Sequence, residues 1–440
     1  MEKRRFKLTS SRVIIFGFVG VILLATVVLM LPVSSAGHTY TPFINAAFTA
    51  TSATCVTGLV TYDTATYWSS FGQAVILLLI QTGGMGVVTV AVGLSRLSGK
   101  KIGLLGRSFM QDSIAAPRLG GIMKFTKFIV ITALAIEFLG ALALLPVFCG
   151  RYGVKGIWYS FFHAVSAFCN AGFDVMGQSG EFSSLTTFQS NVLVNIVMML
   201  LIIIGGIGFA TWNDIKNHGL RFRRYSIQSR VILVITAVFI LLPALLFFFA
   251  DFGNMEMKDR VLSSLFQSVT LRTAGFNTVN FSSLRDSSLA VMIVFMLIGG
   301  APGSTAGGMK VTTVAVLLFS ALSVFARKKE VRVCDRSIDA ENVKTAAAIL
   351  LMYIMLFFTG GIMISLYDGI PLNNCLFETA SAIGTVGLTT GITSSLSSFS
   401  KIILIFLMYI GRVGGLTIIF AAAKSSQAAS KLPMEKITVG

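Results

Sequence analysis

Cys169-Asn170-Ala171-Gly172-Phe173 is a short polar break that follows an apolar stretch, and three related breaks occur elsewhere in the chain. They are Cys55-Val56-Thr57-Gly58-Leu59, Arg272-Thr273-Ala274-Gly275-Phe276 and Gly384-Thr385-Val386-Gly387-Leu388. Their glycines are spaced by just over a hundred residues each time, and a long internal period indicates repeated structural units. Four breaks of this kind predict four pore loops around one axis, where backbone carbonyls would replace the water shell of a cation.

The composition places these breaks in a membrane protein. The 440-residue chain is 55% hydrophobic and only 12% charged, whereas soluble proteins average about 25% charged residues. Apolar runs of about 20 residues, long enough to cross a bilayer, recur along the chain. The first, at 13–31, is too long and is followed by too many similar runs to be a cleaved signal peptide. We therefore predict an all-α polytopic membrane protein.

The net charge of +17 predicts the topology. Cytoplasmic loops are enriched in Lys and Arg, and the basic residues cluster between the apolar runs, at 3–7, 96–127, 216–230, 327–344 and 424–436. Both termini are therefore expected in the cytosol. Nucleic acid is the other usual partner of a basic chain, but no soluble domain is present to bind it, so no nucleic-acid partner is predicted.

Charge clusters and glycine breaks divide the chain into four pseudo-symmetric repeats, each with an outward span, a half-helix, a pore loop and a return span. The predicted repeats are 1–100, 101–220, 221–335 and 336–440, the last with a cytosolic tail. Outward spans are expected near 12–31, 126–149, 230–250 and 344–366, and return spans near 70–95, 189–211, 287–326 and 400–423. Half-helices near 42–54, 156–168, 259–271 and 372–383 are too short to cross and should be re-entrant. The predicted fold thus has eight transmembrane helices and four re-entrant half-helices around one central pore.

Glycine is the residue that such a filter requires. Stripping water from a cation in a low dielectric costs on the order of tens of kcal/mol, so converging carbonyls must replace that water. The unusual backbone angles this needs are open to glycine without steric cost. The C-terminal ends of the half-helices would each add about half a negative charge. One glycine alone could merely turn the chain, but four in register favour a short filter with one well-defined ring.

Two charged side chains are expected to support the filter. Arg272 occupies the position that Cys55, Cys169 and Gly384 hold in the other breaks. A guanidinium in the filter would repel cations, so we expect it to point behind the loop, toward backbone carbonyls or an acid such as Glu378. Outer acids, including Asp63 and Asp174, would raise the local cation concentration, or are ordinary loop charges.

The third return span contains an interruption that predicts a gate. Residues 299–310, Gly-Gly-Ala-Pro-Gly-Ser-Thr-Ala-Gly-Gly-Met-Lys, cannot form one regular helix, and irregular backbone at membrane depth must be buried or line a wet cavity. A nucleotide phosphate loop is excluded because Met309 holds the position of its lysine. The predicted gate residues are Gly299, Gly300, Gly303, Ser304, Thr305, Gly307, Gly308, Lys310 and, from the fourth return span, Arg412.

The two cations of this predicted gate have three possible roles. Intramembrane charges are functional by default, so Lys310 and Arg412 would form an electrostatic barrier below the filter or pin the loop by hydrogen bonds. The third possibility is that they snorkel toward the inner interface.

The remaining residues offer little support for an enzyme. The five cysteines have no metal-ligand spacing. A disulfide between Cys55 and Cys169 is conceivable, although packing is favoured. Glu137 is the lone acid inside a span, without a second carboxylate, a metal cluster or a nucleophile–base pair. We therefore predict no enzymatic activity, no transition metal and no covalent cofactor.

Taken together, these motifs resemble the Trk/Ktr/HKT superfamily of potassium transporters, most closely the bacterial KtrB-type membrane subunit. The resemblance covers essentially the whole chain. It rests on Asn-Ala-Gly-Phe at 170–173, Arg-Thr-Ala-Gly-Phe-Asn at 272–277, the small-residue loop at 299–310 and Gly-Arg-Val-Gly-Gly at 411–415. It implies potassium uptake across the plasma membrane through a selectivity filter formed by Val56, Thr57, Gly58, Asn170, Ala171, Gly172, Thr273, Ala274, Gly275, Thr385, Val386 and Gly387.

The resemblance also implies partners and an ion preference. A KtrB-type subunit is expected to form a homodimer in membrane lipid, with one pore in each protomer. A cytosolic KtrA-type ring on a separate chain would bind a nucleotide and control the gate loop. In related plant transporters, Ser in place of the first filter glycine goes with sodium preference, so Gly58 favours potassium. A sodium-selective or sodium-coupled transporter on the same scaffold is the alternative, and sodium as an activator is left open.

Overall fold

A computed structural model describes residues 9–87, 89–90, 103–114, 120–281, 284–328, 330–333, 336–415 and 417. The basic clusters predicted at 3–7 and 424–436 lie outside these residues. The helices, in chain order, are α1 Ser10–Met30, α2 Phe43–Thr54, α3 Ser70–Met85, α4 Leu104–Ser113, α5 Ile122–Tyr152, α6 Lys155–Phe168, α7 Val192–Gly206, α8 Phe209–His218, α9 Ile227–Ala250, α10 Met257–Thr270, α11 Asp286–Met296, α12 Val311–Phe325, α13 Ala340–Asp368, α14 Leu372–Gly384 and α15 Ser398–Val413. Strands β1 Arg332–Val333 and β2 Arg336–Ser337 form one antiparallel hairpin.

The four predicted outward spans are the four long apolar helices α1, α5, α9 and α13. Each is long and apolar enough to cross a membrane. Their lipid-facing sides carry exposed apolar side chains such as Leu24 and Phe249. Proline inside α5 and α9, at Pro146 and Pro243, does not end either helix. The chain is thus a multi-pass helical membrane protein, as the composition predicts.

The four half-helices form close to where the sequence predicts them. They are α2, α6, α10 and α14, of 12 to 14 residues each, too short to cross the roughly 30 Å hydrocarbon core. Each packs against the outward helix of its own repeat. Their C-terminal turns are almost entirely buried, because every half-helix ends inside the protein rather than at its surface.

The return spans differ from continuous helices. The return span predicted near 189–211 begins as α7, which ends at Gly206, and α8 leaves it at an angle of 98°. Gly208, with φ 90°, makes this bend, since positive φ angles favour glycine. Gly86 and Gly414 follow α3 and α15 with φ 87° and 88°. The third return span is broken between α11 and α12, as predicted. Parts of the predicted first and fourth return spans lie outside the described residues, namely 88, 91–95, 416 and 418–423.

The buried apolar side chains form two main clusters that flank the half-helices. One lies mostly in repeats one and two and includes Phe148, Phe162 and Phe168. The other lies mostly in repeats three and four and includes Phe357 and Met408. The polar breaks that follow the half-helices lie where these two clusters meet.

Candidate functional site

The four predicted pore segments repeat one backbone conformation. A non-glycine residue in the left-handed region stands two positions before each glycine, at Val56, Asn170, Thr273 and Thr385, with φ 58°, 57°, 62° and 52°. The glycines themselves, Gly58, Gly172, Gly275 and Gly387, have φ 94°, 70°, 78° and 94°. Left-handed backbone is uncommon outside glycine, so its recurrence at four equivalent positions reflects one shared local structure.

The four glycines meet in a closed ring. A β-carbon added to Gly58 would lie 2.5 Å from the carbonyl oxygen of Ala171, and one added to Gly172 would lie 2.8 Å from Gly275 Cα. One added to Gly275 would lie 2.5 Å from the carbonyl oxygen of Val386. The ring closes because a β-carbon on Gly387 would lie 3.0 Å from Gly58 Cα. Side chains at these positions would therefore collide with the next segment.

A carbonyl oxygen of the next segment lies on the β-carbon side of each glycine, so a backbone oxygen stands between each pair of neighbouring segments. These carbonyls belong to Thr57, Ala171, Ala274 and Val386, one from each segment. The half-helices α2, α6, α10 and α14 end just before these segments, so the negative ends of their dipoles lie close to the ring. Backbone oxygens can replace the water of a cation, so this arrangement is compatible with the short filter that the sequence predicts.

Hydroxyl groups in the last turns of the half-helices hold the segments, and the sequence analysis missed them. Gly58 and Gly387 donate their backbone N–H groups to Ser52 Oγ and Ser381 Oγ, at 3.1 and 3.0 Å. Ser166 Oγ donates to the carbonyl of Phe173 at 2.7 Å, and Thr270 Oγ1 donates to that of Phe276 at 2.5 Å. A serine six residues before the glycine in three of the breaks is the signal that could have found them.

A cavity of about 110 Å³ opens on the side of the ring away from the loop between α11 and α12, here called the outer side, and all four ring glycines line it. Asp63 and Asp174 also line it. The Asp63 carboxylate accepts hydrogen bonds from the backbone N–H groups of Ala65 and Phe182, at 2.9 Å each. Because Phe182 belongs to repeat two, these bonds connect repeat one to repeat two. Burial raises the pKa of Asp174 to about 7; the Met176 N–H bond opposes that rise, and nearby Asp63 adds to it.

The segment between α11 and α12 lies beneath the ring as an irregular loop. Its backbone is hydrogen-bonded to the neighbouring return spans: Ala301 N–H donates to Gly206 O at 2.9 Å, and Gly308 N–H to Gly411 O at 3.1 Å. Gly303 and Gly308 have φ 62° and 65°. A β-carbon on Gly308 would lie 2.8 Å from the carbonyl oxygen of Gly384, and one on Gly307 would overlap the side chain of Thr385. The loop therefore touches the underside of the fourth segment.

Arg412 and Lys310 bind backbone carbonyls of this loop and its surroundings. The Arg412 guanidinium donates to the carbonyl of Thr305 and to those of Gly83 and Gly84, the last at 3.1 Å. Lys310 Nζ donates to Ala306 O at 2.8 Å and to Gly307 O at 3.3 Å. Both residues also line an inner cavity of about 350 Å³. These hydrogen bonds are the contacts that a pinning role requires, and the position beside the cavity leaves the electrostatic barrier open as an alternative.

Comparison with known proteins agrees with this geometry. A family model described as TrkH, cation transport protein, matches residues 9–432. The chain belongs to the TrkH family. The family's potassium transporter TrkH from Vibrio parahaemolyticus has the same fold, with a TM-score of 0.75 and 18% identity over 96% of this chain and 86% of that one.

Several curated TrkH-family relatives match over nearly their whole length. The potassium/sodium uptake protein NtpJ of Enterococcus hirae is 37% identical over 100% of this chain and 99% of its own. The Ktr system potassium uptake protein B of Bacillus subtilis is 36% identical, with 99% and 97% covered. The protein of that name from Vibrio alginolyticus is 33% identical, with 98% and 95% covered. These relatives are ion transporters by name, which is consistent with a protein that is not an enzyme.

The expected pair between Arg272 and Glu378 does not form in this TrkH-family chain. Arg272 points behind its segment as predicted, but Nη2 donates to Thr236 Oγ1 of α9 at 3.3 Å. Glu378 accepts hydrogen bonds from Thr389 and Thr393, the second at 3.0 Å. Thr389 and Thr393 follow the fourth segment on the outer side. Arg272 therefore binds within repeat three, and Glu378 binds within repeat four. Within the described residues, the one side-chain ion pair joins Arg332 to Glu330 at the surface, away from Arg272 and Glu378.

The cysteines and acids behind the ring have structural partners. Cys55 and Cys169 are both buried and unpaired by disulfide, in agreement with packing. Cys169 Sγ lies 3.8 Å from Glu137 Oε1, and Gln81 Nε2 donates to Glu137 Oε2 at 3.1 Å. Within the described part of the chain, no group of three or more His, Cys, Asp or Glu residues could hold a metal ion.

Proposed function

We propose that this chain carries potassium into the cell across the plasma membrane. The ion would enter the outer cavity, lose its water at the ring of carbonyls from Thr57, Ala171, Ala274 and Val386, and leave through the inner cavity. The observation that carries this proposal is the closed ring of four glycine segments with a cavity on either side. In this proposal the selectivity filter comprises 56–58, 170–172, 273–275 and 385–387, with Arg272 and Glu378 as its supports.

The preference for potassium over sodium rests on two supports. Two relatives are named as potassium uptake proteins and one as a potassium/sodium uptake protein. In the plant transporters of the family that this chain resembles, serine at the position of Gly58 goes with sodium preference. Backbone carbonyls held at fixed separation suit one ion size and number of ligands better than another. Potassium is therefore the proposed cargo, bound transiently as substrate.

The loop at 299–310 is the proposed gate. It lies between the ring and the inner cavity, and Arg412 joins it to the first return span through Gly83 and Gly84. A loop that is held by hydrogen bonds between two separate helices can move while those helices stay in place. Opening would require Arg412 to release the carbonyl of Thr305.

Partners and orientation belong to the same proposal. We propose a homodimer in which each protomer has its own pore, with both termini in the cytosol. A KtrA-type nucleotide-binding ring on a separate chain would dock at the cytosolic face and control the gate loop. Support comes from relatives named as proteins of a Ktr system and from the basic segments at 216–230 and 327–344, which fit a cytosolic position.

Rubidium and sodium uptake by the purified protein in liposomes tests the proposed function. Rubidium uptake should exceed sodium uptake, and potassium should compete with it. Gly58→Ser, which places a β-carbon 2.5 Å from the carbonyl oxygen of Ala171, should lower rubidium uptake. Equal or greater sodium uptake by the unaltered chain would support a sodium transporter and contradict the proposal. Rescue of a potassium-uptake-deficient bacterium at low external potassium, with and without a KtrA-type chain, tests the partner.

A further inference from the structure

The side chain of Thr305, in the middle of the loop, reaches the second pore segment directly. Its Oγ1 lies 2.8 Å from Asn170 Oδ1 and 3.0 Å from the carbonyl oxygen of Phe168, the last residue of α6. Thr305 and Asn170 are both fully buried. This contact spans the boundary between the proposed gate and the proposed filter.

The orientation of the Asn170 amide makes Thr305 its donor. Asn170 Nδ2 donates to the carbonyl of Arg272 at 3.1 Å and to that of Ile202 at 3.4 Å. A flipped amide would set its oxygen against those two carbonyl oxygens, so Oδ1 must face the loop. The single hydroxyl proton of Thr305 is therefore directed toward Oδ1, with Phe168 O as a second, longer acceptor.

Close packing leaves this contact little freedom. A β-carbon on Gly205 would lie 2.7 Å from Thr305 Oγ1 and 2.8 Å from Asn170 Oδ1. Thr305 N–H donates to Gly205 O at 3.3 Å, and the Thr305 carbonyl accepts from Arg412. Backbone and side chain of Thr305 are thus held from three directions, and the hydroxyl meets Asn170 only while the loop stays in its present position.

We propose that Thr305 is a positioning residue that couples the gate loop to the ion affinity of the filter. This inference rests on the proposed function, because it needs an ion in the ring and a loop that moves. With the loop in place, Thr305 fixes the amide of Asn170, and Asn170 holds the second segment against the third through Arg272 O. Displacement of the loop removes the hydroxyl, so the ring binds potassium less tightly. Weaker binding in the open state favours release, as conduction requires.

The coupling is reciprocal, as linkage demands. If loop position changes the affinity for potassium, then potassium in the ring must change the stability of the loop position by the same factor. Potassium should therefore stabilise the structure through the Thr305–Asn170 contact as well as through its own ligands.

Thermal unfolding of the purified full-length protein in detergent, titrated with KCl at constant ionic strength, tests the coupling. A ligand that binds only the folded state raises Tm by mass action. Thr305→Val keeps the shape and removes the donor, so the lowest potassium concentration that raises Tm should increase about tenfold, which corresponds to one buried hydrogen bond. Thr305→Ser should restore the original concentration. Thr126→Val, which also loses a buried hydroxyl-to-carbonyl bond but lies in α5, is the matched control and should titrate like the unaltered chain.

A double-mutant cycle separates coupling from general damage. Gly at position 170 tolerates the left-handed backbone, so Asn170→Gly removes only the side chain that Thr305 contacts. In that background Thr305→Val should cause no additional loss of potassium affinity.

A folded Thr305→Val protein with an unchanged titration, or additive losses in the double mutant, would overturn the coupling. If Thr305→Val does not fold, Thr305→Ala enters the same cycle. A chain that shows no potassium-dependent Tm shift and no rubidium uptake would contradict the proposed function itself.

Discussion

The outer and inner halves of this molecule treat its fourfold repeat differently. On the outer side, four segments share the same backbone conformation and close into one ring. On the inner side the repeats diverge: α3, α7 and α15 each end just before a single glycine with φ near 90°, at Gly86, Gly208 and Gly414. Repeat three instead inserts the loop between α11 and α12.

Under the proposed function, this difference separates recognition of the ion from control of its path. A spherical ion is best surrounded by equivalent oxygens, so all four segments must keep the same conformation. A gate has no such requirement, because one loop beneath the ring suffices to obstruct the path. The fourth repeat adapts to that loop: Arg412 stands where the other return spans have a second glycine, at Gly84, Gly206 and Gly300. Its guanidinium then holds the inserted loop.

The largest effect is expected from breaking the ring itself. Gly172→Ala would place a β-carbon 2.8 Å from Gly275 Cα at a left-handed position, so rubidium uptake in liposomes should be lost. Gly369→Ala is the matched control: its φ of 68° and ψ of 20° are left-handed, but open space surrounds it. It should cost about 1–2 kcal/mol of stability from backbone strain and leave uptake intact. Equal uptake by the two variants would show that the ring does not conduct.

A smaller effect of opposite sign is expected from making repeat three resemble the others. Shortening the 299–310 loop removes the obstruction between the two cavities, so rubidium uptake should rise several-fold without a KtrA-type partner. The variant must elute from a size-exclusion column at the same volume as the unaltered protein, which shows that it is folded. Unchanged or reduced uptake in such a folded variant would argue against the loop as a gate.

Neutralising Arg412 should act in the same direction but less strongly. Arg412→Gln loses charge-assisted bonds to the carbonyls of Thr305, Gly83 and Gly84, each worth about 1.5–3 kcal/mol. Lys310→Gln should raise rubidium uptake less, because both of its partners lie within the loop. Arg260→Gln, at an outer site where Nε binds Phe248 O, is the control and should leave uptake unchanged. A larger increase for Lys310→Gln than for Arg412→Gln would contradict the pinning role of Arg412.

The smallest effect concerns the outer cavity. Because the pKa of Asp174 is raised to about 7, its carboxylate is charged above that pH and neutral below it. Rubidium uptake at low external rubidium should therefore decline as the external pH falls through about 7, and Asp174→Asn should abolish this decline. Asp259→Asn, an outer acid bound to Ser190, should keep the full pH dependence. If Asp174→Asn keeps the decline, another group is responsible.

The sequence predicts those features that depend on local composition. The half-helices, the four glycine breaks and the interrupted third span follow from apolar length and from glycine and proline chemistry, which are local. No bend is predicted at Gly208, and the expected contact between Arg272 and Glu378 is wrong. The partners of these two side chains depend on how the repeats pack against one another, which the sequence of a single span does not determine. The Thr305–Asn170 contact joins residues 135 positions apart, so no local pattern indicates it.

A crystal of the protein soaked in rubidium, measured at the rubidium absorption edge, tests the central claim most directly. The account predicts an anomalous peak at the centre of the ring, bounded by the carbonyl oxygens of Thr57, Ala171, Ala274 and Val386. Peaks confined to the outer cavity beside Asp174, with none in the ring of a protein that takes up rubidium, would contradict it.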